Sequence, residues 1–395
     1  MSSQYSPADY DAMLADATRR PAYMEAIRRG VRPGDVVVEV GTGLGYFAVL
    51  ACRAGARHVY AIERTPSVFL AERVIRENGL ASQVTCIHGD ARTVELPERG
   101  SLYLADLRGM LPLSGDAIPT VVSVRSRLLQ PGARMIPVRD TIYAAPCTAP
   151  ARWRHVELAL EHLAGGISRT EAARFARSVP RQYDVERDAL TAPEQVVTVL
   201  EFATIQSPDV DATVEWTVAR DARVEGIALW FEADLGNGVR MSTAPGGPSS
   251  VYSNAFLPLE KALAVTAGDR IACRLRAKFA DGEYVYAWDT TWTAASGGGS
   301  VTLRQSALES VLLDRTMVHR RKGTYVPPRA ADGAISDLLS RLDGSRSQQE
   351  IAREIQRLHP ARFSTEATAL TWVVQAVAAL EYLRGHGGGP DAFPG

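Results

Sequence analysis

The spacing of apolar and polar residues predicts a ligand-binding turn near the start of the chain. Apolar β-branched residues run through 36–40 and predict a buried strand, after which glycine stands at Gly41, Gly43 and Gly45 and a helical spacing follows over 46–51. Glycine permits a sharp backbone turn and the close approach of a ligand. The helix behind the loop adds unpaired N–H groups at its N-terminus.

Further apolar runs continue the alternation of strands and helices. Residues 58–63, 84–88 and 101–105 have the composition of strands, and a predicted helix over 71–77 ends at Asn-Gly. This order predicts a Rossmann-like α/β core. From about residue 195 to 293 the spacing changes to the two-residue alternation of β-strands, which predicts a second, all-β domain.

Composition narrows the class of protein. The chain has 395 residues, 46% of them apolar, and a formal net charge of −1. This is enough for two or three domains and gives no overall attraction to nucleic acid or membranes. The cysteines and histidines are scattered, so no metal site is predicted. A polar N-terminus without a long apolar run predicts a cytoplasmic protein.

Two cofactor classes compete for the glycine-rich loop. A dinucleotide-binding fold calls for glycine at position 46, where this chain has Tyr46. The pattern E-x-G-x-G-x-G from Glu39 to Gly45 instead resembles motif I of class I S-adenosylmethionine methyltransferases. Glu63, at the end of the second predicted strand, then corresponds to the acid that binds both hydroxyls of the ribose. The alternative for Glu63 is a surface acid at a strand end.

The N-terminal residues resemble the helix before the cofactor domain of the protein arginine methyltransferase family. The shared pattern is M-L-x-D-x-x-R at residues 13–19, followed by Tyr23. The resemblance implies that Arg19 pairs with the carboxylate of the cofactor and that Asp90 reads its adenine; an arginine on a solvated helix face is the alternative. The residues expected to bind S-adenosylmethionine are Met13, Arg19, Glu39, Gly41, Thr42, Gly43, Gly45, Glu63, Arg64, Asp90, Ala91 and Asp106.

Acceptor chemistry is expected in the loop after the fourth strand. The family has two glutamates there; in this chain the first corresponds to Asp106 and the second to Gly115, beside Asp116. We predict Asp106 and Asp116 as catalytic acids, with a structural acid as the alternative for each. A guanidinium keeps its proton and needs two carboxylates, whereas an amine can lose its proton and needs one acid. The replacement of the two glutamates by Asp106 and Gly115 therefore favours an amine acceptor.

The later strands resemble the β-barrel of the same family, but one loop departs from its pattern. Val251 and Tyr252 stand where the family has the histidine and tryptophan of its T-H-W loop. A helical arm is predicted at about 151–178, with a capping box of Ser168 and Glu171. In the family an arm at this place makes a dimer, so the resemblance implies a homodimer. The residues expected to line the acceptor pocket are Tyr10, Met110, Tyr252 and Asn254.

A separate domain is predicted after the barrel. The glycine- and serine-rich segment 296–300 predicts a flexible linker. Three helices follow, and the sequence L-D-G-S-R-S-x-x-E-I between the first two resembles PqqD-like winged-helix domains, which bind leader segments of ribosomally made peptides. The alternatives are a structural appendage and DNA binding, for which the basic cluster 319–322 is small.

These expectations combine into one architecture and one activity. We predict a methyltransferase domain at 1–140, a β-barrel substrate domain with a helical dimerisation arm at 141–295, and a winged-helix-like α+β domain at 300–395. The predicted function is S-adenosylmethionine-dependent N-methylation of an amine on a ribosomally made peptide, with dimethylation included. Free arginine or another small amine is the alternative acceptor. A protein arginine methyltransferase and a binding scaffold without catalysis are further alternatives.

Overall fold

The computed structural model describes residues 7–149, 151, 153, 170–280, 282–310, 334, 337–338, 340–342 and 346–386. The chain divides into two compact units, residues 5–311 and residues 312–395 together with 1–4. Each unit is described by itself below. Ser168 of the predicted capping box and the basic cluster 319–322 lie outside the described residues.

The larger unit begins with a parallel sheet and its helices. The elements are α1 (Pro7–Ala15), α2 (Arg19–Gly30), β1 (Val36–Val40), α3 (Tyr46–Arg53), β2 (His58–Glu63), α4 (Ser67–Glu77), β3 (Val84–His88), β4 (Gly100–Ala105), α5 (Ala117–Arg127) and β5 (Leu129–Ile136). The strand order is β3-β2-β1-β4-β5 with parallel pairing, which confirms the Rossmann-like core. Because the order reverses at β1, the loops after β1, β2 and β4 meet at the carboxyl edge of the sheet, where such folds bind ligands.

Two antiparallel sheets follow and form the β-barrel-like domain. One sheet contains β6 (Arg139–Cys147), β7 (Arg181–Tyr183), β8 (Gln195–Glu201), β10 (Ala222–Gly236), β11 (Val239–Ser242) and β12 (Asn254–Val265). The other contains β9 (Val210–Thr217), β13 (Arg270–Ala280), β14 (Glu283–Thr293) and β15 (Ser300–Ser306). Buried residues alternate along β13, as at Ile271 and Cys273. One apolar core extends from the parallel sheet into both antiparallel sheets.

The predicted linker at 296–300 is wrong. Strand β15 pairs with β14 from Thr293 opposite Ser300 to Ala287 opposite Ser306. The glycines form the turn between them, with the N–H of Ala294 donating to the carbonyl of Gly299 at 3.0 Å. The β-domain therefore continues through Ser306, because the apolar residues of 300–306 alternate and complete the sheet. Of the predicted arm, helix α6 (Thr170–Arg177) is described, and Ala151 and Trp153 are helical.

The described part of the smaller unit contains helices α7 (Gln348–Leu358) and α8 (Glu366–His386). Helix α7 begins with a capping box, as the S-x-x-E pattern at 347–350 predicts: the N–H of Glu350 donates to Ser347 Oγ at 3.3 Å and the N–H of Ser347 donates to Glu350 Oε2 at 2.7 Å. Ile351 and Ile355 pack in one core with Trp372. The winged-helix-like fold stays a prediction. No described helix is long and apolar enough to cross a membrane.

Candidate active site

The glycine-rich loop leaves β1 at the carboxyl edge of the parallel sheet. Gly41, Gly43 and Gly45 have φ angles of 75°, 54° and 79°, which residues with a side chain adopt only with strain. A Cβ on Gly43 would lie 2.6 Å from Cε1 of Tyr10, so the loop is also packed against helix α1. The N–H of Gly41 donates to the carbonyl of Ile62 at 2.9 Å and joins the loop to the end of β2.

Two buried carboxyl groups lie beside this loop. Glu63 accepts hydrogen bonds from the backbone N–H of Gly43 at 3.1 Å and of Thr65 at 2.9 Å. Glu39 is 1% exposed; its Oε2 accepts from the Thr42 hydroxyl at 2.7 Å, and its Oε1 has no partner among the described residues. Burial raises the pKa of Glu39 to about 8, opposed by the Thr42 bond and aided by the charge of Glu63. A buried acceptor oxygen beside a loop that admits no side chain fits a polar ligand such as S-adenosylmethionine.

The acids predicted near the adenine and in the acceptor loop are both held by arginines. Asp90 Oδ1 accepts from the backbone N–H of Arg92 at 2.8 Å and from its Nε at 3.0 Å, and these bonds lower the pKa of Asp90. Asp116, just before α5, pairs with Arg64 at 3.1 Å and with Arg92 at 2.9 Å. Ala91, between Asp90 and Arg92, is buried. Among the described residues, no three His, Cys, Asp or Glu side chains are grouped to hold a metal ion.

Asp106 follows β4 and is held by Arg19 and Tyr252. The Nε of Arg19 and the hydroxyl of Tyr252 both donate to Asp106 Oδ2. Arg19 Nε also donates to the Tyr252 oxygen at 3.1 Å, and Arg19 NH1 donates to the carbonyl of Met13 at 3.3 Å. Three predicted site residues from helix α2, the end of β4 and the loop before β12 are thus brought together.

Arg108 and Asp140 complete a buried ionic network around Asp106. Arg108 NH1 donates to Asp106 Oδ1 at 3.0 Å and to the Tyr23 hydroxyl at 2.6 Å. Its Nε and NH2 donate to the two oxygens of Asp140 at 2.8 and 2.7 Å. Burial raises the pKa of Asp106, but the charges of Arg19 and Arg108 outweigh that effect and leave the pKa below its ordinary value. Asp106 is therefore a charged anchor and a weak proton acceptor.

Asp16 joins the N-terminal helices to the loop before β12. Its carboxylate accepts from the backbone N–H of Arg19 at 2.7 Å, from the N–H of Val251 at 2.7 Å and from the Ser250 hydroxyl at 2.9 Å. These bonds fix the loop before β12 to the N-terminal helices.

The structure places the other predicted pocket residues in different surroundings. Asn254 is 4% exposed, accepts from the N–H of Val185 at 2.9 Å and donates to the carbonyl of Thr243, so it connects backbone segments of the β-domain. Met110 is partly buried against the main core, and the Tyr10 hydroxyl donates to Ser67 Oγ at 3.2 Å.

The sequence predicted Asp106 as a site residue, but it did not predict the other acids that the structure places near it. Asp116 shares no ion-pair partner with Asp106 in the described part of the chain. Arg108, Asp140 and Asp16 were not predicted as site residues. The available signal for Arg108 was an arginine two positions after Asp106 in a largely apolar loop. Nothing in the sequence around Asp140 pointed to its partner.

Two family models match the chain. The TRM5/TYW2 methyltransferase domain matches residues 18–102, and the arginine methyltransferase oligomerization subdomain matches residues 139–288. The probable histone-arginine methyltransferase CARM1 of Oryza sativa subsp. indica is 31% identical over 285 residues, which are 67% of this chain and 53% of that protein. The chain is thus similar to an arginine methyltransferase over two thirds of its length, and residues 18–102 match a methyltransferase domain.

Other proteins that are similar to this chain are also arginine methyltransferases. The arginine N(omega)-methyltransferase of Streptomyces achromogenes subsp. streptozoticus is 27% identical over 277 residues, 68% of this chain and 76% of that protein. The structure of Arabidopsis thaliana protein arginine methyltransferase 10 has a TM-score of 0.67 at 20% identity and covers 76% of this chain and 98% of that chain. The structure of the Trypanosoma brucei PRMT1 enzyme-prozyme complex with AdoHcy has a TM-score of 0.69 at 20% identity. The match covers 75% of this chain and 97% of that chain. These two likenesses establish the fold. The chain spans about half the length of the rice and Arabidopsis curated relatives it matches.

Proposed function

We propose that the protein is an S-adenosylmethionine-dependent N-methyltransferase. The observation that carries the proposal is the cofactor edge, meaning the glycine loop at 41–45 with Glu39 and Glu63, where a buried Glu39 oxygen has no donor among the described residues. In this site Glu63 would hold the ribose hydroxyls, Arg19 the carboxylate and Asp90 the adenine amino group. The bound cofactor supplies a methyl group on a positively charged sulfur.

The acceptor side favours an amine. Gly115 stands at the position of the second acid, and Asp116 pairs with Arg64 and Arg92, which leaves Asp106 as the acid of the acceptor loop. An amine that loses its proton presents a lone pair, whereas a guanidinium remains protonated near neutral pH. Alignment of this lone pair with the methyl group can lower the barrier by roughly 7–11 kcal/mol. A protein that holds and orients a neutral amine therefore needs little further acid–base chemistry.

Methylation of arginine is the second candidate. The named relatives are arginine methyltransferases, and the Streptomyces protein is matched over 76% of its length. This second candidate includes both free arginine and an arginine in a protein as the methyl acceptor. The same assay that tests the amine proposal separates it from this candidate.

We extend the proposal to a peptide substrate and a homodimer. Residues 312–395, together with 1–4, form a unit of their own, and neither family model extends beyond residue 288, so we treat this unit as an addition to the methyltransferase. A leader segment of a ribosomally made peptide is the partner we propose for it. The homodimer is proposed because residues 139–288 match an oligomerization subdomain.

Intact-mass detection of methyl transfer tests the activity and the acceptor. The full chain would be given S-adenosylmethionine with Nα-acetyl-lysine amide, Nα-acetyl-arginine amide, or a candidate precursor peptide with and without its leader. We expect one or two methyl groups on an amine, and loss of transfer in a Glu63→Ala variant. Transfer to the arginine derivative alone would contradict the amine proposal and support the second candidate.

A shortened chain tests the role of the second unit. A protein ending at Val311 should keep its affinity for S-adenosylhomocysteine, because residues 5–311 are one compact unit. It should methylate the small amine as the full chain does and lose most transfer to the leader-bearing peptide. Equal activity of the two proteins on that peptide would remove the peptide-recognition role.

A further inference from the structure

The Arg108 guanidinium is fixed beside the acid of the acceptor loop. Its Nε, NH1 and NH2 make four hydrogen bonds of 2.6–3.0 Å to Asp140, Tyr23 and Asp106. The side chain is 4% exposed, and its Cζ lies 5.4 Å from the centre of the Phe231 ring. Bonds to three elements of the fold leave this guanidinium no freedom to move away from Asp106.

The charges of the network are balanced within the protein. Asp106 and Asp140 carry the negative charges, while Arg19 and Arg108 carry the positive ones. A guanidinium substrate at Asp106 would add a further positive charge to a buried site, where an unpaired charge is strongly unfavourable. A neutral amine adds none.

Cofactor binding would release only one oxygen of Asp106 from its arginine. If Arg19 turns to the carboxylate of the cofactor, as proposed above, Asp106 Oδ2 loses its arginine while Oδ1 keeps Arg108. A guanidinium substrate would then find one oxygen without an arginine and not the two that a bidentate pair needs. The bidentate bond of Arg108 to Asp140 holds the second arginine in place in either state. The acid of the acceptor loop is thus already occupied by a guanidinium that belongs to the protein.

We propose that Arg108 is the specificity-determining residue of the acceptor site, which excludes guanidinium substrates and selects the neutral form of a primary amine. This inference rests on the proposed methyltransferase function. A fixed positive charge close to a bound ammonium disfavours that charged form, so the amine loses its proton more readily in the site than in water. Arg108 thereby promotes loss of the proton from the same amine substrate that it selects.

With this role of Arg108, the bonds, electrons and proton of the methyl transfer are all accounted for. The lone pair of the neutral amine forms the N–C bond while the S–C bond breaks, and the electron pair of that bond goes to sulfur. The products are a methylated ammonium and the neutral thioether S-adenosylhomocysteine. The ammonium then gives its extra proton to solvent. Asp106 accepts no proton in this sequence, which agrees with its two arginine partners.

The test removes the Arg108–Asp140 pair as a unit. In an Arg108→Met/Asp140→Asn double variant, one charge of each sign is lost, so no buried carboxylate is left unpaired. The ratio of transfer to Nα-acetyl-arginine amide over Nα-acetyl-lysine amide should rise by about tenfold or more, the factor that corresponds to one unit of pKa. The midpoint of kcat against pH for the lysine derivative should move up by about one unit, since the site loses a neighbouring cation.

A matched control separates this role from a general effect of removing an arginine. Arg125 is also partly buried, but its guanidinium donates at 2.6 Å to the carbonyls of Phe202 and Ile205. Arg125→Met should leave both the ratio and the midpoint unchanged. A double variant that binds S-adenosylhomocysteine but keeps the wild-type ratio and midpoint would overturn the assignment, as would a wild-type enzyme that prefers the arginine derivative.

A binding measurement decides the assignment even without turnover. If neither protein transfers methyl groups although both bind the cofactor product, the proposed function fails. Arg108→Ala would then still expose Asp106, Asp140 and the Tyr23 hydroxyl to an added cation. Methylguanidinium should raise the melting temperature of Arg108→Ala above that of the same variant in equimolar sodium chloride, and should not stabilise the wild type. No stabilisation of the folded variant would overturn the assignment of a guanidinium position at Asp106.

Discussion

The cofactor edge and the acceptor network differ in how far apart their residues lie along the sequence. The acceptor network is the group of Asp106 with Arg19, Arg108, Asp140 and Tyr252. At the cofactor edge, Glu63 bonds to Gly43, 20 positions earlier, and the loop follows directly from strand β1. In the acceptor network, Arg19 bonds to Tyr252, 233 positions later, and Asp106 bonds to both. One α/β unit therefore builds the first region, while the second requires the N-terminal helices, the loop after β4 and the β-domain together.

The two regions also differ in the partners of their acids. Glu39, which keeps its proton near neutral pH because its pKa is about 8, accepts from a hydroxyl, and Glu63 accepts from backbone amides. Asp106 and Asp140 accept from arginines. The acids of the cofactor edge therefore have no arginine partner among the described residues, whereas Asp106 and Asp140 share Arg108 and keep it when Arg19 turns to a ligand.

Breaking the balance of the acceptor network should give the largest effect. Asp140→Ala removes two of the four hydrogen bonds of the buried Arg108 guanidinium and leaves the network with one excess positive charge. We therefore expect a loss of about 3–5 kcal/mol in the free energy of unfolding of the larger unit. Urea denaturation of the full chain, followed by near-ultraviolet circular dichroism, measures the change. The Arg108→Met/Asp140→Ala double variant should recover a large part of it.

The control for this prediction is an ion pair in the same domain at the surface. Asp211 accepts from Arg274 through two bonds of 2.8 Å, but the two side chains are 42% and 52% exposed. Asp211→Ala should lower the free energy of unfolding far less than Asp140→Ala, because water screens exposed pairs. Equal losses for Asp140→Ala and Asp211→Ala would show that the buried network does not act as a unit.

At the cofactor edge, the corresponding change should affect binding first. Glu63→Ala removes an ionised acceptor, and charged hydrogen bonds contribute about 1.5–3 kcal/mol each. We expect the affinity for S-adenosylhomocysteine to fall by roughly 100-fold, measured by isothermal titration calorimetry. Glu72→Ala, at a more exposed position on α4, is the control and should bind as the wild type does. Unchanged affinity in Glu63→Ala would remove Glu63 from the ribose site.

This contrast explains how much of the molecule could be predicted from its sequence. The strand, glycine loop and helix at 36–53 were predictable because glycine at positive φ and an apolar β-branched run are local signals. The capping box of Ser347 and Glu350 is local in the same sense and is present. The linker at 296–300 was mistaken because glycine and serine also form tight hairpin turns, and the pairing of β15 with β14 is not visible in that segment.

The acceptor network could not be predicted because its contacts are long-range. Asp106 was expected as a site residue from its place after β4, but its partners Arg108 and Tyr252 lie on a loop and on a different domain. Asp140 stands in a strand of the β-domain, where a charged residue is ordinarily exposed, yet it is fully buried. Only the folded arrangement reveals that Arg108 pairs with both acids.

The pH dependence of stability should have opposite signs in the two regions. The pKa of Glu39 is about 8 in the folded protein, above its ordinary value of 4.5. The folded state therefore keeps a proton that the unfolded chain releases, and stability falls as the pH rises through this interval. The pKa of Asp106 is lowered, so its contribution is present above its ordinary pKa and is lost as the pH falls.

Glu39→Gln isolates the first of these effects. Between about pH 5 and pH 6.5 the wild type should lose on the order of 2 kcal/mol in its free energy of unfolding relative to Glu39→Gln, because each unit of pKa shift corresponds to 1.36 kcal/mol. Denaturation midpoints of both proteins at several pH values measure the difference. Parallel curves for the two proteins would mean that Glu39 titrates near its ordinary pKa.

The smallest effect is expected at Asp116, and it decides whether the acceptor loop contains one acting acid or two. Its partners Arg64 and Arg92 are 57% and 35% exposed, so Asp116→Asn should cost about 0.2–1 kcal/mol of stability. With no partner shared with Asp106 in the described residues, it should change kcat/KM for an amine by less than about twofold, or under 0.5 kcal/mol. Asp106→Asn, measured beside it with the same substrate, should lower kcat/KM far more because it breaks the network that positions the acceptor. A fall of similar size in Asp116→Asn would place this acid in the reaction and restore the second catalytic position that the sequence suggested.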